Sequence, residues 1–367
     1  MGYIRRWLVV AVLCATALGA QEVRPKVIPD AVACSACRIT VTTVVTLGTD
    51  DGPGAINTRP LGVDVDGRGR YWVVPLADGS AVPIVFASGG QLARVAGRRG
   101  EGPGEFRAVI DAVPLPGDSV LLVDNATRRG TIIGPNLEPV RFIQVPEPLQ
   151  YNVVISWPDA VVGMSHYAGG GRGGPVLHAM AFDSASARVT RSFGPVWSMR
   201  DLRTMEQTVA RLFQATTGIW SILPQRYRID QWNLDGQLLA ALERQPEWFG
   251  TESLTMGTRD TPPPPRFTAV AEDGAGRLWT FVAVAAPTWR EGWPKDEGEF
   301  RVAAFSMEKM YRTMVEVLDP KAGQVITRRQ LDYWIIGTLP EDRAVVYTVS
   351  ADGFPRLRIV RYGLDVR

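Results

Sequence analysis

The feature that most limits the fold of this sequence is a repeat of short β-rich runs, punctuated by Gly, Asp and Pro, that extends from residue 39 to residue 364. Two turn-and-strand segments are near copies of each other, Asp66-Gly-Arg-Gly-Arg-Tyr-Trp72 and Asp273-Gly-Ala-Gly-Arg-Leu-Trp279. Gly and Asp favour tight turns between strands, and the aromatic residue that follows favours a packed strand. The chain is therefore predicted to repeat one small unit of strands joined by tight turns.

The repeated units have the length and content of β-propeller blades. Four strands in roughly 50 residues is the period of a blade, whereas an α/β fold would need helices between the strands. The first unit is predicted to contain the strands Leu61–Val65, Arg70–Val74, Ala81–Phe86 and Gln91–Ala96. Later units begin near Val109, Tyr151, Gly218, Phe267 and Ile335. We therefore expect six blades.

The sixth unit ends after three strands, the last of which is Leu357–Tyr362. A missing fourth strand would leave an open sheet edge beside the first blade. The segment Val44–Gly54 matches Ala93–Gly104 at the end of the first unit, and this match places Thr40–Leu47 in the fourth-strand position. The sequence thus predicts an all-β fold, a six-bladed β-propeller over residues 38–367 that is closed by its N-terminal strand.

One segment also carries a family resemblance. The run Gly97-Arg-Arg-Gly-Glu-Gly-Pro-Gly-Glu-Phe106, with the Asp-x-x-Gly-Arg turns, resembles the exported bacterial six-bladed β-propellers of the NHL-like kind, in the TolB-like propeller group. The resemblance covers about residues 38 to 364 and implies the fold, because most of this family has no assigned activity. Propeller lactonases are similar in architecture and hold calcium in the central channel, which implies one candidate enzyme class.

Residues 1–20 have the three-part pattern of a secretory signal peptide. Arg5 and Arg6 precede the apolar stretch Trp7–Leu13, and small residues continue to Ala20. The apolar stretch is short for a membrane-spanning helix, which needs about 20 residues. We therefore expect an exported protein, periplasmic or extracellular, with no transmembrane segment.

Residues 21–37 form a predicted N-terminal extension that contains Cys34-Ser-Ala-Cys37. A c-type haem site needs His after the second Cys, where Arg38 stands, and a structural zinc site needs four ligands. A thioredoxin-like motif should open a helix, whereas a β-branched run follows Cys37. We expect a disulfide between Cys34 and Cys37, as an oxidising compartment permits.

The charge balance argues against a nucleic-acid partner. Lys plus Arg is 40 and Asp plus Glu is 38, so removal of Arg5 and Arg6 with the signal peptide leaves 38 against 38. A balanced chain has no basic excess with which to neutralise phosphates. The ligand classes that remain are a protein, a peptide or a carbohydrate, and we expect a monomer.

No catalytic or metal-binding set can be assigned from the sequence. The two histidines, His166 and His178, have no evident Ser or Cys partner, and no Gly-x-Ser-x-Gly elbow is present. Asp64 and Asp111 fall on predicted innermost strands, but the other blades offer no clear further ligands. No cofactor is evident. The leading hypothesis is a non-catalytic binding propeller; the alternatives are a lactonase-like hydrolase or lyase at the central channel, with calcium as its candidate ion, and a structural envelope component.

The irregular segments are predicted to share one face of the ring. In a propeller, the loop between the second and third strands and the connector between blades emerge on the same face. His166–Pro175, Ala286–Arg312 and a predicted short helix at Ser198–Glu206 all fall in those positions. Loops on a rigid scaffold commonly carry binding residues. The candidate ligand-binding residues are His166, Arg172, Trp289, Arg290 and Trp293; alternatively, these segments cap the channel and both tryptophans pack against the ring.

Overall fold

The protein is a six-bladed β-propeller, as the repeat predicts. The computed structural model describes residues 23–76, 82–145, 153–157, 160–164, 174–182, 186–197, 211–223, 226–250, 258–294 and 304–366. Six sheets, each with four antiparallel strands from one or two chain segments, contain almost all of the regular structure. Within these ranges, no helix is both long and apolar enough to cross a bilayer.

The first two strands, β1 (Lys26–Val27) and β2 (Arg38–Leu47), join blades that are completed later in the chain. Blade I contains β3 (Pro60–Val65), β4 (Tyr71–Pro75), β5 (Ile84–Phe86) and β6 (Leu92–Val95). A short parallel pair follows, β7 (Arg98–Arg99) with β8 (Glu105–Phe106). Blade II contains β9 (Val109–Leu115), β10 (Ser119–Asp124), β11 (Arg129–Ile133) and β12 (Pro139–Gln144). Blade III contains β13 (Val153–Trp157), β14 (Ala160–Met164), β15 (Gly174–Phe182) and β16 (Ala187–Trp197).

Blade IV contains β17 (Arg211–Gln214), β18 (Ile219–Ile222), β19 (Arg228–Trp232) and β20 (Leu238–Glu243), with β1 added in parallel at its outer edge. Blade V contains β21 (Arg266–Glu272), β22 (Leu278–Ala285), β23 (Tyr311–Asp319) and β24 (Gln324–Leu331). Blade VI contains β25 (Trp334–Leu339), β26 (Arg343–Val349), β27 (Pro355–Asp365) and β2. The helical pieces are a single-turn helix, α1 (Met307–Met310), and the 3₁₀ turns Gly52–Gly54, Glu247–Phe249 and Trp289–Gly292.

The ring is closed by its N-terminal strand. Strand β2 pairs antiparallel with β27 along its length, from Arg38 opposite Asp365 to Leu47 opposite Leu357. The strand is rich in Val and Thr, which favour extended structure. Its position at the outer edge leaves most of its side chains exposed or half-buried. The predicted closure is therefore confirmed, and the strand begins two residues earlier than the sequence match placed it.

The N-terminal extension lies across the outer strands of three consecutive blades. Strand β1 pairs with β20 of blade IV, and Val32 forms a parallel bridge with Val325 of blade V. The amide of Cys34 then donates to the carbonyl of Ile326 at 2.9 Å, after which β2 enters blade VI. We call residues 26–37 the strap. It carries the disulfide between Cys34 and Cys37.

The blades pack through apolar faces, and their innermost strands surround the central channel. In ring order, β3, β9, β13, β17, β21 and β25 contact one another. Five of these strands, all but β17, carry a β-bulge near their first residues. A bulge increases the local twist of a strand and re-aims its side chains. The residues that begin the innermost strands are thus gathered at one end of the ring.

The long insertion of blade V is found where it was predicted, between the second and third strands. Strand β22 ends at Ala285 and β23 begins at Tyr311. The described short helix, α1, belongs to this insertion. The helix predicted at Ser198–Glu206 and the loop after β14, which contains His166 and Arg172, lie outside the described residues.

Candidate functional site

Six side chains from blades I, V and VI meet at the insertion end of the ring. Arg59 directly precedes β3, and Arg266 and Trp334 are the first residues of β21 and β25. Because the innermost strands run in the same direction, these residues lie at the same end of the channel. Tyr311 begins β23, and Tyr347 stands opposite Trp334 in the ladder of blade VI. With Glu308 of α1 added, we call this set the mouth cluster: Arg59, Arg266, Glu308, Tyr311, Trp334 and Tyr347.

The guanidinium groups of both arginines of the mouth cluster lie over aromatic rings, and we call these rings their aromatic seats. The guanidinium carbon of Arg59 lies 5.5 Å from the centre of the Trp334 ring, and that of Arg266 lies 5.9 Å from the centre of the Tyr311 ring. The Trp334 and Tyr311 ring centres are 6.0 Å apart. A cation is attracted to an aromatic face by the quadrupole of the ring. The rings therefore position the two guanidinium groups but accept none of their conventional hydrogen bonds.

Several donors of the mouth cluster have no acceptor. Among the residues that the structure describes, neither Arg59 nor Arg266 forms an ion pair, and Arg266 Nε is buried without a hydrogen-bond partner. The Tyr311 hydroxyl and the Trp334 indole nitrogen are likewise buried and unpaired, in side chains only 2% and 5% exposed. A buried donor without an acceptor costs about 1–3 kcal/mol. Three of the six side chains of the mouth cluster thus contribute a buried donor without an acceptor.

A second buried arginine site in the same protein shows the ordinary arrangement. Arg244 also lies over an aromatic ring, with its guanidinium carbon 5.0 Å from the centre of the Tyr227 ring. It donates to Glu316, which is fully buried, and to Asp30 of the strap at 2.6 Å. Tyr227 also donates to Glu316 at 2.6 Å. Here an aromatic ring and carboxylate partners occur together, whereas Arg59 and Arg266 have the aromatic ring without a carboxylate partner among the described residues.

The charges of the mouth cluster act on one another. Burial lowers the pKa of Arg59, and the positive charge of Arg266 lowers it further, while Tyr347 opposes both. Burial and the nearby negative charge of Glu308 raise the pKa of Tyr347 to about 12, against the opposing effect of Arg59. With both arginines and Glu308 ionised and Tyr347 neutral, the cluster carries one net positive charge.

The insertion holds Glu308 in place by close backbone packing. The Ala286 amide donates to the Met310 carbonyl at 2.8 Å, and the Ser306 amide donates to the Gly292 carbonyl at 2.9 Å. A Cβ at Gly292 would lie only 2.6 Å from the Ser306 carbonyl oxygen, so this approach requires glycine. Met307 and Met310 are buried in the core shared by blades I and VI. Helix α1 is thereby fixed against the ring with Glu308 beside Tyr347.

The described tryptophans of the predicted ligand face are largely packed. Trp289 is 6% exposed, and the exposed Arg290 lies over it with 4.4 Å between guanidinium carbon and ring centre. Trp293 is half-buried and packs edge-on against Phe305, with the ring centres 5.1 Å apart. These contacts match the packing alternative that the sequence left open. Of the candidate residues in this part of the chain, Arg290 is exposed, Trp293 is half-buried and Trp289 is buried.

The channel also contains the two carboxylates on predicted innermost strands. Asp64 lies on β3 and Asp111 on the neighbouring β9. Burial raises the pKa of Asp64 to about 7. Asp111 is buried, and its Oδ1 accepts a hydrogen bond from the Ala112 amide at 2.9 Å. Nowhere in the described ranges do three or more His, Cys, Asp or Glu side chains form a group that could hold a metal ion.

His178, the histidine that lies within the described part of the chain, has a structural environment. His178 is buried in β15, and its Nδ1 lies 2.9 Å from Ser192 Oγ on β16, within hydrogen-bond distance. The contact joins neighbouring strands of blade III. His178 is accordingly a sheet residue, as its sequence position indicates.

Sequence reasoning missed the mouth cluster, although one signal for it was present. Arg59 and Arg266 each stand seven residues before the aspartate of the repeated turn, Asp66 and Asp273 respectively. They are therefore equivalent positions in blades I and V. By the position of the β-bulge, Trp334 is the equivalent residue of blade VI. The other three members lie elsewhere in the repeat, so only the fold brings the six together.

Solved structures that are similar to this chain are also propellers at low sequence identity. A member of the DUF4221 family from Bacteroides vulgatus has a TM-score of 0.59 and 9% identity, covering 90% of this chain and 99% of that chain. A Bacteroides fragilis protein assigned as exported has a TM-score of 0.54 and 10% identity, covering 93% and 100%. Virginiamycin B lyase from Staphylococcus aureus has a TM-score of 0.44 and 9% identity, covering 88% and 99%. At these identities the likeness shows the fold alone.

No family model matches the sequence, and no curated protein matches it.

Proposed function

We propose that this protein is an exported, non-catalytic binding propeller that captures an anionic ligand at the mouth cluster. The observation that carries the proposal is the pair of arginines, Arg59 and Arg266, which have aromatic seats but no acidic partner among the described residues. Two neighbouring like charges repel each other and are costly to desolvate. An anion bound between them would remove both penalties.

The buried donors support a binding role over a purely structural one. A structural arginine in this chain, Arg244, has carboxylate partners. The Tyr311 hydroxyl and the Trp334 indole nitrogen, which have no partner among the described residues, would provide hydrogen bonds for an anion. Such preorganised donors bind an anion without further rearrangement.

The position of the mouth cluster agrees with the ligand face predicted from the insertions. Arg290 and the mouth cluster belong to the same end of blade V, because the insertion connects β22 to β23 at that end. We propose that Arg290 contributes a positive charge at the rim. His166 and Arg172, which lie outside the described residues, remain candidates from the sequence. Trp289 and Trp293 would act through packing, because they hold the insertion against the ring.

Anion binding can be tested with benzoate, sulfate and inorganic phosphate, with neutral benzamide as the uncharged control. Calorimetry on the wild-type protein should detect at least one of the anions and not benzamide. Arg59→Gln and Arg266→Gln should each weaken the binding about tenfold or more, since a hydrogen bond to a charged group is lost. The matched control is Arg99→Gln, which removes an exposed arginine from β7. Undiminished binding by the Arg59→Gln, Arg266→Gln double variant would refute the proposal.

The second candidate function is hydrolysis or elimination at the central channel, for which Asp64 is the supporting observation. A carboxyl group with a pKa of about 7 can donate or accept a proton near neutral pH. In a calcium-dependent version, Asp64 and Asp111 would supply carboxylate ligands. Turnover of a simple lactone and an aryl ester should be measured with and without calcium. Activity lost in Asp64→Asn but retained in Arg59→Gln would favour this enzyme over the binding protein.

A further inference from the structure

We infer that the anion recognised at the mouth cluster is a single carboxylate carried on a planar or apolar group, as in an aryl monocarboxylate. This inference rests on the proposed function and names its ligand class. Three properties of the cluster support it: its net charge, the number and type of its donors, and the position of Glu308.

The net charge selects a monoanion. Arg59 and Arg266 contribute two positive charges, and Glu308 has no ion-pair partner among the described residues and contributes one negative charge. The surplus is therefore a single positive charge. A carboxylate neutralises it, whereas a phosphate dianion leaves one negative charge in excess in a partly buried site. An uncompensated charge is strongly disfavoured in such surroundings.

The donors match the acceptor capacity of a carboxylate. An ionised carboxylate has about four lone-pair sites on its two oxygens. The cluster offers four donor groups, which are the guanidinium groups of Arg59 and Arg266, the Tyr311 hydroxyl and the Trp334 indole nitrogen. Because each guanidinium lies over a ring, its N–H groups remain available to an acceptor. One N–H from each guanidinium, together with the Tyr311 hydroxyl and the Trp334 indole N–H, would fill these four sites.

The surroundings of these donors favour an apolar or planar carrier for the carboxylate. Tyr347 stands opposite Trp334 with the ring centres 6.4 Å apart, and Met307 and Phe305 are buried in the same core. Aromatic side chains of this kind make offset or edge contacts with a planar ring. The hydrocarbon part of an aryl carboxylate would meet aromatic and apolar side chains at this point, whereas a small hydrated anion would make no use of them.

Glu308 is inferred to be the residue that sets the preference for one negative charge. Helix α1, which carries Glu308, contacts β26, which carries Tyr347. The charge of Glu308 accordingly raises the pKa of the Tyr347 hydroxyl, and Arg59 opposes this effect. The Glu308 carboxylate would therefore repel a second negative charge on the ligand. Glu308 discriminates between anions, while the arginines provide the attraction common to both.

The test compares three ligands that carry the same ring: benzoate, phenyl phosphate and benzamide. Near pH 8 the phosphate is a dianion, because its second pKa is about 6. Wild-type protein should bind benzoate about tenfold more tightly than phenyl phosphate, and benzamide not measurably. Glu308→Gln should raise the relative affinity for phenyl phosphate about tenfold, since the net charge of the cluster becomes two positive. The control is Glu291→Gln, an exposed acidic residue of the same insertion, which should leave the ratio unchanged.

The outcomes separate the ligand class from the function itself. If phenyl phosphate binds wild-type protein more tightly than benzoate, or if Glu308→Gln leaves the ratio of the two affinities unchanged, the monocarboxylate inference is overturned while anion binding stands. If none of the anions binds, the proposed function fails and the inference fails with it. Equal binding of benzoate and benzamide would show that the ring is recognised and the charge is not, which also contradicts both.

Discussion

The carboxylate of Asp66 accepts a hydrogen bond from the indole nitrogen of Trp72 at 2.9 Å, and Asp273 makes the same bond with Trp279 at 2.9 Å. In each turn the same carboxylate oxygen also accepts from the arginine four residues on, at 2.6 Å from Arg70 Nε in blade I. Both tryptophans are essentially fully buried. The repeated sequence is thus a structural lock between a turn and the strand that follows it.

Replacing the carboxylate of this lock should destabilise its blade. Asp66→Asn leaves the Trp72 indole or the Arg70 guanidinium without an acceptor, so we expect a loss of about 3 kcal/mol in the free energy of unfolding. Denaturant titration measures it. Asp118→Asn is the control, because Asp118 pairs with Arg68 at the surface and such pairs contribute about 0–1 kcal/mol. Equal losses in the two variants would contradict the buried lock.

Hydrogen bonds also lower the pKa of Asp273, the carboxylate of the second turn. Burial alone would raise the pKa of Asp273, but hydrogen bonds from Trp279 and Arg277 hold it below its ordinary value. A carboxylate with a lowered pKa stabilises the folded protein at pH values above its ordinary pKa of 3.8. This stabilisation is lost as the pH falls through the lower pKa of the folded state. Asp273→Asn should therefore lose stability at neutral pH and differ less from wild type in strong acid. Thermal unfolding across the acid range would show whether the difference narrows.

Asp64 should impose the opposite pH dependence. Its pKa is raised from 3.8 to about 7 by burial, so the folded state binds the proton more tightly than the unfolded state does. The stability from this group is complete below 3.8 and is lost as the pH rises through about 7. A pKa difference of one between the folded and unfolded states corresponds to about 1.4 kcal/mol of unfolding free energy. Because Asp64 is partly exposed to water, we expect a total contribution of about 2 kcal/mol.

The variant Asp64→Asn should flatten this part of the stability profile. Its melting temperature, followed from acid to mildly alkaline pH, should fall less than that of the wild-type protein. Asp352→Asn provides the control, since Asp352 lies in an exposed turn. Parallel profiles for wild type and Asp64→Asn would show that the channel carboxylate is solvated.

The strap and the closing strand should contribute separately to stability. A chain that begins at residue 38 keeps the ring closed but loses Ile28, which is 2% exposed, and leaves Arg244 without Asp30. A chain that begins after Gly48 also loses β2 and exposes the edge of β27. Melting temperatures should fall in that order, with aggregation in the shorter chain. Indistinguishable melting of the two truncations would mean that closure adds nothing.

The disulfide of the strap should matter much less than the strap itself. Its loop is very short, so the chain entropy that it removes from the unfolded state is small. Cys34→Ser with Cys37→Ser should melt close to the wild-type protein and well above the chain that begins at residue 38. A melting temperature as low as that of the truncated chain would assign the strength of the strap to its covalent bond.

The two outer residues of the insertion should behave differently on substitution. Trp289→Ala removes a buried aromatic side chain, so we expect a loss of about 3 kcal/mol in unfolding free energy. Arg290→Gln alters an exposed side chain and should leave stability nearly unchanged. Benzoate binding measured on both separates packing from recognition. A stable Trp289→Ala variant with weakened binding would place the tryptophan in the ligand site.

The ring and its closure could be predicted because short sequence segments repeat along the chain and reveal both. The near-identical turns at Asp66 and Asp273 indicated the repeat, and the missing strand of blade VI indicated the role of β2. Strand β17 was not predicted, because its four residues carry too short a pattern to stand out. A strand that forms because neighbouring strands and blades pack against it cannot be predicted from the pattern of four residues.

The mouth cluster lay beyond sequence reasoning for a different reason. Its members come from chain positions as distant as Arg59 and Tyr347, and only ring closure brings these together. Burial also could not be read from the tryptophans, because Trp289 is equally compatible with a surface anchor and a packed residue until its neighbours are known. Composition indicated neither the unpaired arginines nor the aromatic seats beneath them.

The pairing of β2 with β27 limits the order in which parts of this protein can fold. Arg38 and Asp365, which are opposite each other in blade VI, are separated along the chain by blades I to V. Contacts between such distant residues form late, because the whole intervening chain must be available before the loop closes. Until then β2 is an unpaired edge strand, which is the state most exposed to misassembly. The ring can close only after β27 has been synthesised, so a product that stalls before this strand has no route to the native propeller.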